Sequence, residues 1–309
     1  MMRVASRTTA LVLLGASIAA ATAPWRRRGL SAHQAAPVVS MSRAESPIEG
    51  RPLVVIEPDV GLGADFWRPL ANALAERGFD VAQVDRAGVG NARAELRLRG
   101  ERSGSTAITR AGNRLAERVD HELGEREVFL VGIGFGALVA GAWPRPERVL
   151  GRLLIDPSCA GDWIKASPRM LRRAKSRLFD ARLTCGTLWL GGDLLRAPAA
   201  VPPGLEATTR ELVQAIDRDP RAWRAVCHEL WTVVAGARTL SDLVDRETTV
   251  LVSRRLAAGE PDLVTLWRDA CGAEGASIET PPWLPSAEAM PSAKLVNALA
   301  AAVESGVLR

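Results

Sequence analysis

Residues Glu127 to Trp143 read EVFLVGIGFGALVAGAW. An apolar run, a glycine-crowded turn and the start of an apolar helix follow one another, the pattern of a buried strand feeding a helix. Two kinds of chemistry use such a turn. Either its amides and the helix start cradle a phosphate, or its strained backbone projects a nucleophile. The central residue is Gly134, which has no side chain with which to do covalent chemistry.

Outward from this stretch the chain alternates strand and helix. Leu53–Glu57 (LVVIE) is a buried-strand run, and ADFWRPLANALAERGF puts Phe66, Leu70 and Leu74 on one helical face before Gly78 stops the helix. DVAQVD, Asp80 to Asp85, is the next strand. A polar loop rich in glycine and arginine runs to about Ser103, followed by an amphipathic helix over Ile108–Leu123. Val128–Val131 opens the quoted stretch, and RLLID, Arg152 to Asp156, is the strand after it. Such alternation predicts an α/β fold, a mostly parallel sheet flanked by helices on both faces.

From Ser158 to about Asp245 the alternation gives way to helical stretches, ARLTCGTLWL and DPRAWRAVCHELWTVVAGA, broken by PAAVPPG at Pro198–Gly204. TTVLVS, Thr248 to Ser253, resumes the sheet; a helix over Pro261–Cys271, a short strand at ASIET and a helix over Ser292–Val303 complete the pattern. This divides the chain into a leader or targeting segment (1–45), a first core part (50–157), a helical cap (158–245) and a second core part (246–309), with the fold beginning near Pro52.

Composition sets limits on partners. Of 309 residues, 47% are hydrophobic and 24% charged, ordinary for a globular protein. Lysine is nearly absent (Lys165, Lys175, Lys294) and tyrosine wholly so, a mark of coding bias. The formal charge of +5 lies in the leader: without Arg3, Arg7, Arg26, Arg27 and Arg28 the 40 basic residues fall to 35, against 35 acids. A neutral folded part has no basic excess for phosphates, which argues against nucleic-acid binding. Cys159, Cys185, Cys227 and Cys271 form no CxxC pair, so no metal site is expected. They are buried small hydrophobes, or two disulfides if the protein is exported.

The leader, MMRVASRTTALVLLGASIAAATAPWRRRG, has an uncharged run from Thr8 to Trp25. This is the shape of a secretory signal or a short anchor, with membrane contact only through residues 8–25 if retained. Ala21-Thr22-Ala23 resembles a cleavage site, but Pro24 and Arg26–Arg28 oppose cleavage and translocation. Export or tethering through residues 1–30 is the favoured expectation. The alternatives are an organelle transit peptide, or a cytoplasmic protein if translation starts at Met41.

Gly132-Ile133-Gly134-Phe135-Gly136-Ala137 satisfies GxGxxG/A between strand and helix, and Asp156 ends the next strand where an acid would meet a ribose hydroxyl. That is the dinucleotide reading, an oxidoreductase using Gly132–Ala137. Pro144 and Pro146 interrupt the helix early for such a crossover.

More of the chain supports the other reading. VVIEPDVGLGADFWRPLANALAERGFDVAQVDRAGVGNAR, with Asp85, Gly88 and Gly90 in its DRAGVG, resembles the start of the α/β-hydrolase superfamily. The words DRAGVG are particularly similar to a branch that writes DRAGxGxS and carries Glu after the first strand, where this chain has Glu57. FLVGIGFGALVAGAWPRPERVLGRLLIDP resembles that family's strand–nucleophile–helix segment, and the likeness extends from Pro52 to Val303. It implies an α/β-hydrolase core with a cap, a G-x-S-x-G elbow and no cofactor.

Set against the family pattern, the chemistry is missing. Gly132 and Gly136 keep the elbow scaffold, but Gly134 stands at the nucleophile position. Where the resemblance implies a histidine the chain has Thr280-Pro281-Pro282-Trp283-Leu284-Pro285-Ser286; the histidines are His33, His121 and His228. The acid has no firm position, with Glu260 and Asp262 as candidates. The donor loop is Glu57-Pro58-Asp59-Val60-Gly61, and Pro58 has no amide hydrogen. This leaves the Phe135 amide as the expected donor in a pocket with Gly61, Trp283 and Leu284. Ser158 and Cys159 have no visible base, and Glu57 is either a structural hydrogen-bonding residue or a base at a strand end. The expected function is a pseudoenzyme that binds a small apolar ligand or a protein partner; the alternative within the fold is a divergent hydrolase or lyase using Glu57 or cap residues.

Overall fold

The structure is a computed structural model, and it describes residues 39–45, 48–90, 92, 105–157, 160–190, 192, 207–236, 238–239, 242–284 and 292–307. The leader to residue 38, Ser158, Cys159 and the Pro198–Gly204 break lie outside these residues.

Among the described residues the strands are β1 (Val39–Ser42), β2 (Leu53–Glu57), β3 (Val81–Val84), β4 (Val128–Ile133), β5 (Val149–Ile155), β6 (Thr248–Leu251) and β7 (Ser277–Glu279). They form one sheet in the order β1-β3-β2-β4-β5-β6-β7, with only β1 antiparallel. Side-chain alternation along each strand splits the core in two. Leu53 and Val55 of β2 join the apolar cluster on one face, and Val54 and Ile56 the cluster on the other.

Helices cover both clusters. On one face lie α1 (Arg68–Ala75) and α10 (Ala293–Val307), through Leu70, Leu74, Leu295, Leu299 and Val303. The other face is covered by α2 (Ser105–Leu123), α3 (Phe135–Gly141) and α9 (Pro261–Ala273), with Trp267 fully buried. The remaining sheet-side helix is α8 (Arg254–Gly259). No helix among the described residues is long and apolar enough to cross a membrane.

Between β5 and β6 the chain inserts α4 (Gly161–Ala166), α5 (Pro168–Trp189), α6 (Ala207–Asp217) and α7 (Pro220–Val234). The long pair α5 and α7 starts the same way: Ser167 and Asp219 cap a backbone amide in the first turn, and proline follows where no intrahelical donor is lost. Met170, Ala174, Leu178 and Ala181 of α5, with Leu230 and Val233 of α7, continue the core into this insertion.

One boundary differs from expectation. Among the described residues the sheet already includes Val39, upstream of Pro52, because β1 pairs with β3 from Val39–Val84 to Ser42–Val81. Met41, the alternative start, sits inside this strand opposite Ala82. A four-residue edge strand draws its stability from its neighbour, so its own sequence carries little signal.

Candidate functional site

The quoted turn is an elbow. β4 ends at Ile133, Gly134 takes φ +57° and ψ −114°, and α3 begins at Phe135. That backbone is one that residues with a Cβ rarely adopt. The flanking glycines are needed for closeness: a Cβ on Gly136 would lie 2.1 Å from the Glu57 carbonyl oxygen, and one on Gly132 2.5 Å from the Ala137 Cα. The turn therefore presses α3 against the ends of β2 and β4, with the Gly134 amide donating to the Ile155 carbonyl at 2.9 Å.

At the central position the space is already filled. A Cβ on Gly134 would meet the Asp59 carboxylate, 2.2 Å from Oδ1 and 2.3 Å from Cγ. The same Oδ1 accepts a hydrogen bond from the Phe135 amide at 2.8 Å. The expected free donor at Phe135 is thus engaged by a carboxylate of this chain.

Gly61 is engaged too, its amide donating to Glu229 Oε2 at 2.8 Å. Glu229 reaches the core from α7 through Arg86, whose Nε donates to Glu229 Oε1 at 2.7 Å. Arg86 Nη1 donates to Glu57 Oε1 at 2.6 Å and to the Pro58 carbonyl at 2.7 Å, and Nη2 to the Asp59 carbonyl at 2.8 Å. Its guanidinium also lies 5.4 Å from the centre of the Phe135 ring. One cation therefore ties β2, the donor loop, the elbow and the inserted helices together.

Two buried carboxylates share that cation, and this shapes the state of Glu57. Burial pushes its carboxyl up from 4.5 to about 7, against the lowering pull of Arg86. The two carboxylates hold Arg86 firmly protonated, against the effect of burial. Glu57 is fully buried, and its Oε2 has no hydrogen-bond partner. It faces a small cavity of about 70 Å³ that Arg86, Phe135, His228 and Glu229 also line.

A larger cavity of about 280 Å³ adjoins Gly134, and it is not apolar. Asp59, Asp156 and Glu260 line it together with Arg169, Arg173, Arg177 and Arg255. Asp156 closes β5 at φ +42°, a value tolerated by aspartate, and its Oδ1 accepts from the Ser253 amide at 2.6 Å. Ser253 itself follows β6, and its hydroxyl caps α8. Glu260 receives the Ser167 hydroxyl at 3.3 Å, and Asp262 begins α9.

Trp283 and Leu284 do not meet Gly134 in this cavity. Leu284 is buried in the cluster on the α1–α10 face, Trp283 packs against that cluster, and neither lines the cavity beside the elbow. The loop after β7 turns toward the opposite side of the sheet, where the Leu284 carbonyl accepts from the Arg254 amide at 3.0 Å. A third cavity, of about 380 Å³, lies between the donor loop and α5–α7, lined by Val60, Gly61, Phe66, Trp223 and Val226 among others. His121 is exposed on α2, whereas His228 lines the small cavity with Glu57. Cys185 and Cys227 are free thiols, and burial pushes Cys227 up to about 11. No metal-binding group of His, Cys, Asp and Glu occurs among the described residues.

The dinucleotide reading does not fit this geometry. The glycine turn follows the third parallel strand in the chain, and the first two, β2 and β3, lie together on one side of it. A dinucleotide fold of the common type puts the turn after its first strand. The Asp59 carboxylate also stands at the amide that a pyrophosphate would approach.

No family model matches the sequence, and no curated protein matches it. Solved structures do. MGS-M2, an alpha/beta hydrolase enzyme from a Medee basin deep-sea metagenome library, aligns over 88% of this chain and 94% of its own, with TM-score 0.58 and 12% identity. An esterase from Exiguobacterium antarcticum covers 86% and 94% at TM-score 0.54 and 13% identity. A hydrolase from Pseudomonas aeruginosa covers 87% and 93% at TM-score 0.53 and 18% identity. The chain has the α/β-hydrolase fold.

Proposed function

We propose that this is an α/β-hydrolase-fold protein without Ser-His-Asp hydrolysis, a pseudoenzyme that binds a small apolar ligand between its core and its inserted helices. The observation that carries this is the Asp59 carboxylate, which fills the space of a nucleophile side chain and takes up the Phe135 amide. A nucleophile, a base and an oxyanion donor act as a unit, so a site missing the first two and with the third occupied has no route to acyl transfer. The cavity between the donor loop and α7, with Phe66, Trp223 and Val226 on its wall, suits an apolar occupant.

The test combines a fluorophosphonate probe, a panel of aryl esters and titration with an apolar fluorescent dye. The expected result is no labelling, no turnover above buffer and saturable dye binding. Labelling of a serine near the elbow would overturn the reading.

A second reading is favoured by one observation, the unpartnered Glu57 Oε2 facing a cavity with a carboxyl raised to about 7. Such a group is a general acid or base poised near neutrality, as a divergent hydrolase or lyase would need. Turnover of any panel substrate that Glu57→Gln abolishes would support it over the first.

A further inference from the structure

The cavity beside Gly134 and the larger apolar one are neighbours, since Arg177 and Leu230 line both. Their charge differs in sign. Around the first stand four arginines against three carboxylates. Around the second, Asp65, Asp85, Asp180 and Asp217 face the shared Arg177.

Three of the four arginines come from one stripe of α5. Arg169, Arg173 and Arg177 are spaced one turn apart, so they stand above one another along the cavity wall. Arg255 faces them from α8. The carboxylates opposite are engaged within the fold: Asp59 accepts from the Phe135 amide, Asp156 from the Ser253 amide and Glu260 from the Ser167 hydroxyl. Each guanidinium carries five N–H donors in a planar fork, more than one carboxylate can accept. All four arginines are exposed at the surface, where a charged head remains partly hydrated.

We infer that the ligand is an amphiphilic anion, with its carboxylate or phosphate head among Arg169, Arg173, Arg177 and Arg255 and its apolar body in the adjoining cavity. This rests on the ligand-binding reading above and specifies the chemistry of that ligand. Asp65 is paired with Arg68 and Asp85 accepts from the Ala64 amide, but Asp180 and Asp217 still disfavour an anion at the second cavity, which sets the direction of entry. Arginine suits such a head because its planar fork pairs with both oxygens of a carboxylate or phosphate.

Calorimetric titration of the purified full chain with octanoate, octyl phosphate, octanol and octylammonium tests the inference. One or both anions are expected to bind at least about tenfold more tightly than octanol, a difference of about 1.4 kcal/mol. The comparison of octanoate with octyl phosphate identifies the head. Arg173→Gln and Arg255→Gln should each weaken the anion several-fold, leave octanol unchanged and reduce the loss of affinity on adding salt. Arg172→Gln removes the same charge from a residue of α5 that does not line the cavity, and should change nothing. Octanol binding as tightly as the anions, octylammonium binding more tightly, or anion binding indifferent to Arg173 and Arg255 would each overturn the inference and leave the ligand reading standing. Failure of all four compounds to bind would overturn both.

Discussion

The Asp59 carboxylate accepts the Phe135 amide at 2.8 Å, within the volume a side chain on Gly134 would need. One contact thereby satisfies the Phe135 amide and limits the side chain that position 134 can carry. An amide at the head of a helix demands an acceptor when it is buried. A carboxylate from the neighbouring loop serves here, and a glycine at 134 leaves the room.

A serine at position 134 should therefore be costly. Gly134→Ser puts a Cβ against Asp59 Oδ1 at φ +57°, and is expected to lose on the order of 1–3 kcal/mol. Adding Asp59→Gly removes the collision and should recover part of that loss, still without ester hydrolysis. Urea unfolding compares the three proteins; a Gly134→Ser protein as stable as its parent would contradict the contact.

Arg86 is expected to matter more for stability than any single acid it holds. Arg86→Met leaves Glu57 and Glu229 buried without their shared cation, at a cost of about 3–5 kcal/mol. Glu229→Gln keeps an acceptor for the Gly61 amide and should cost only about 1 kcal/mol. Denaturation midpoints measure both, and equal losses would argue against the bridging role of the guanidinium.

Stability should also depend on pH through Glu57. Its folded-state value is raised from 4.5 to about 7, so the folded protein holds this proton more tightly than the unfolded chain. The contribution is full below 4.5 and is lost as the pH rises to about 7. Glu57→Gln cannot titrate there. Between those two pH values the parent should lose on the order of 1–3 kcal/mol relative to the variant, as read from unfolding curves across the window. Parallel pH profiles would place the proton elsewhere.

Two tryptophans provide a contrast in packing. Trp267 is fully buried on α9, and Trp267→Ala should cost about 3–5 kcal/mol. Trp189 is 53% exposed at the end of α5, and the same change there should stay within about 0.5 kcal/mol. Thermal and chemical unfolding distinguish the two directly.

How far the sequence reaches can be judged from particular residues. Leu53–Glu57, Val128–Val131 and Arg152–Asp156 are legible as buried strands because their apolar runs are local, and the helical face of Leu70 and Leu74 for the same reason, whereas the start of β5 at Val149 is not. The absence of a serine at 134 and of a histidine after β7 is a matter of residue identity, so the sequence alone determined it. Arg86 stood in plain view within DRAGVG, yet nothing near it announced a partner 143 residues away on α7. Nor could spacing foretell that Asp59 would turn onto Phe135, that Leu284 would face away from the elbow, or that the pocket would be lined with arginine. Periodicity records which face of an element is apolar. Which distant side chains meet is decided only when the sheet closes and the inserted helices settle on it, because burial then favours arrangements in which polar groups such as Asp59, Arg86 and Glu229 find partners.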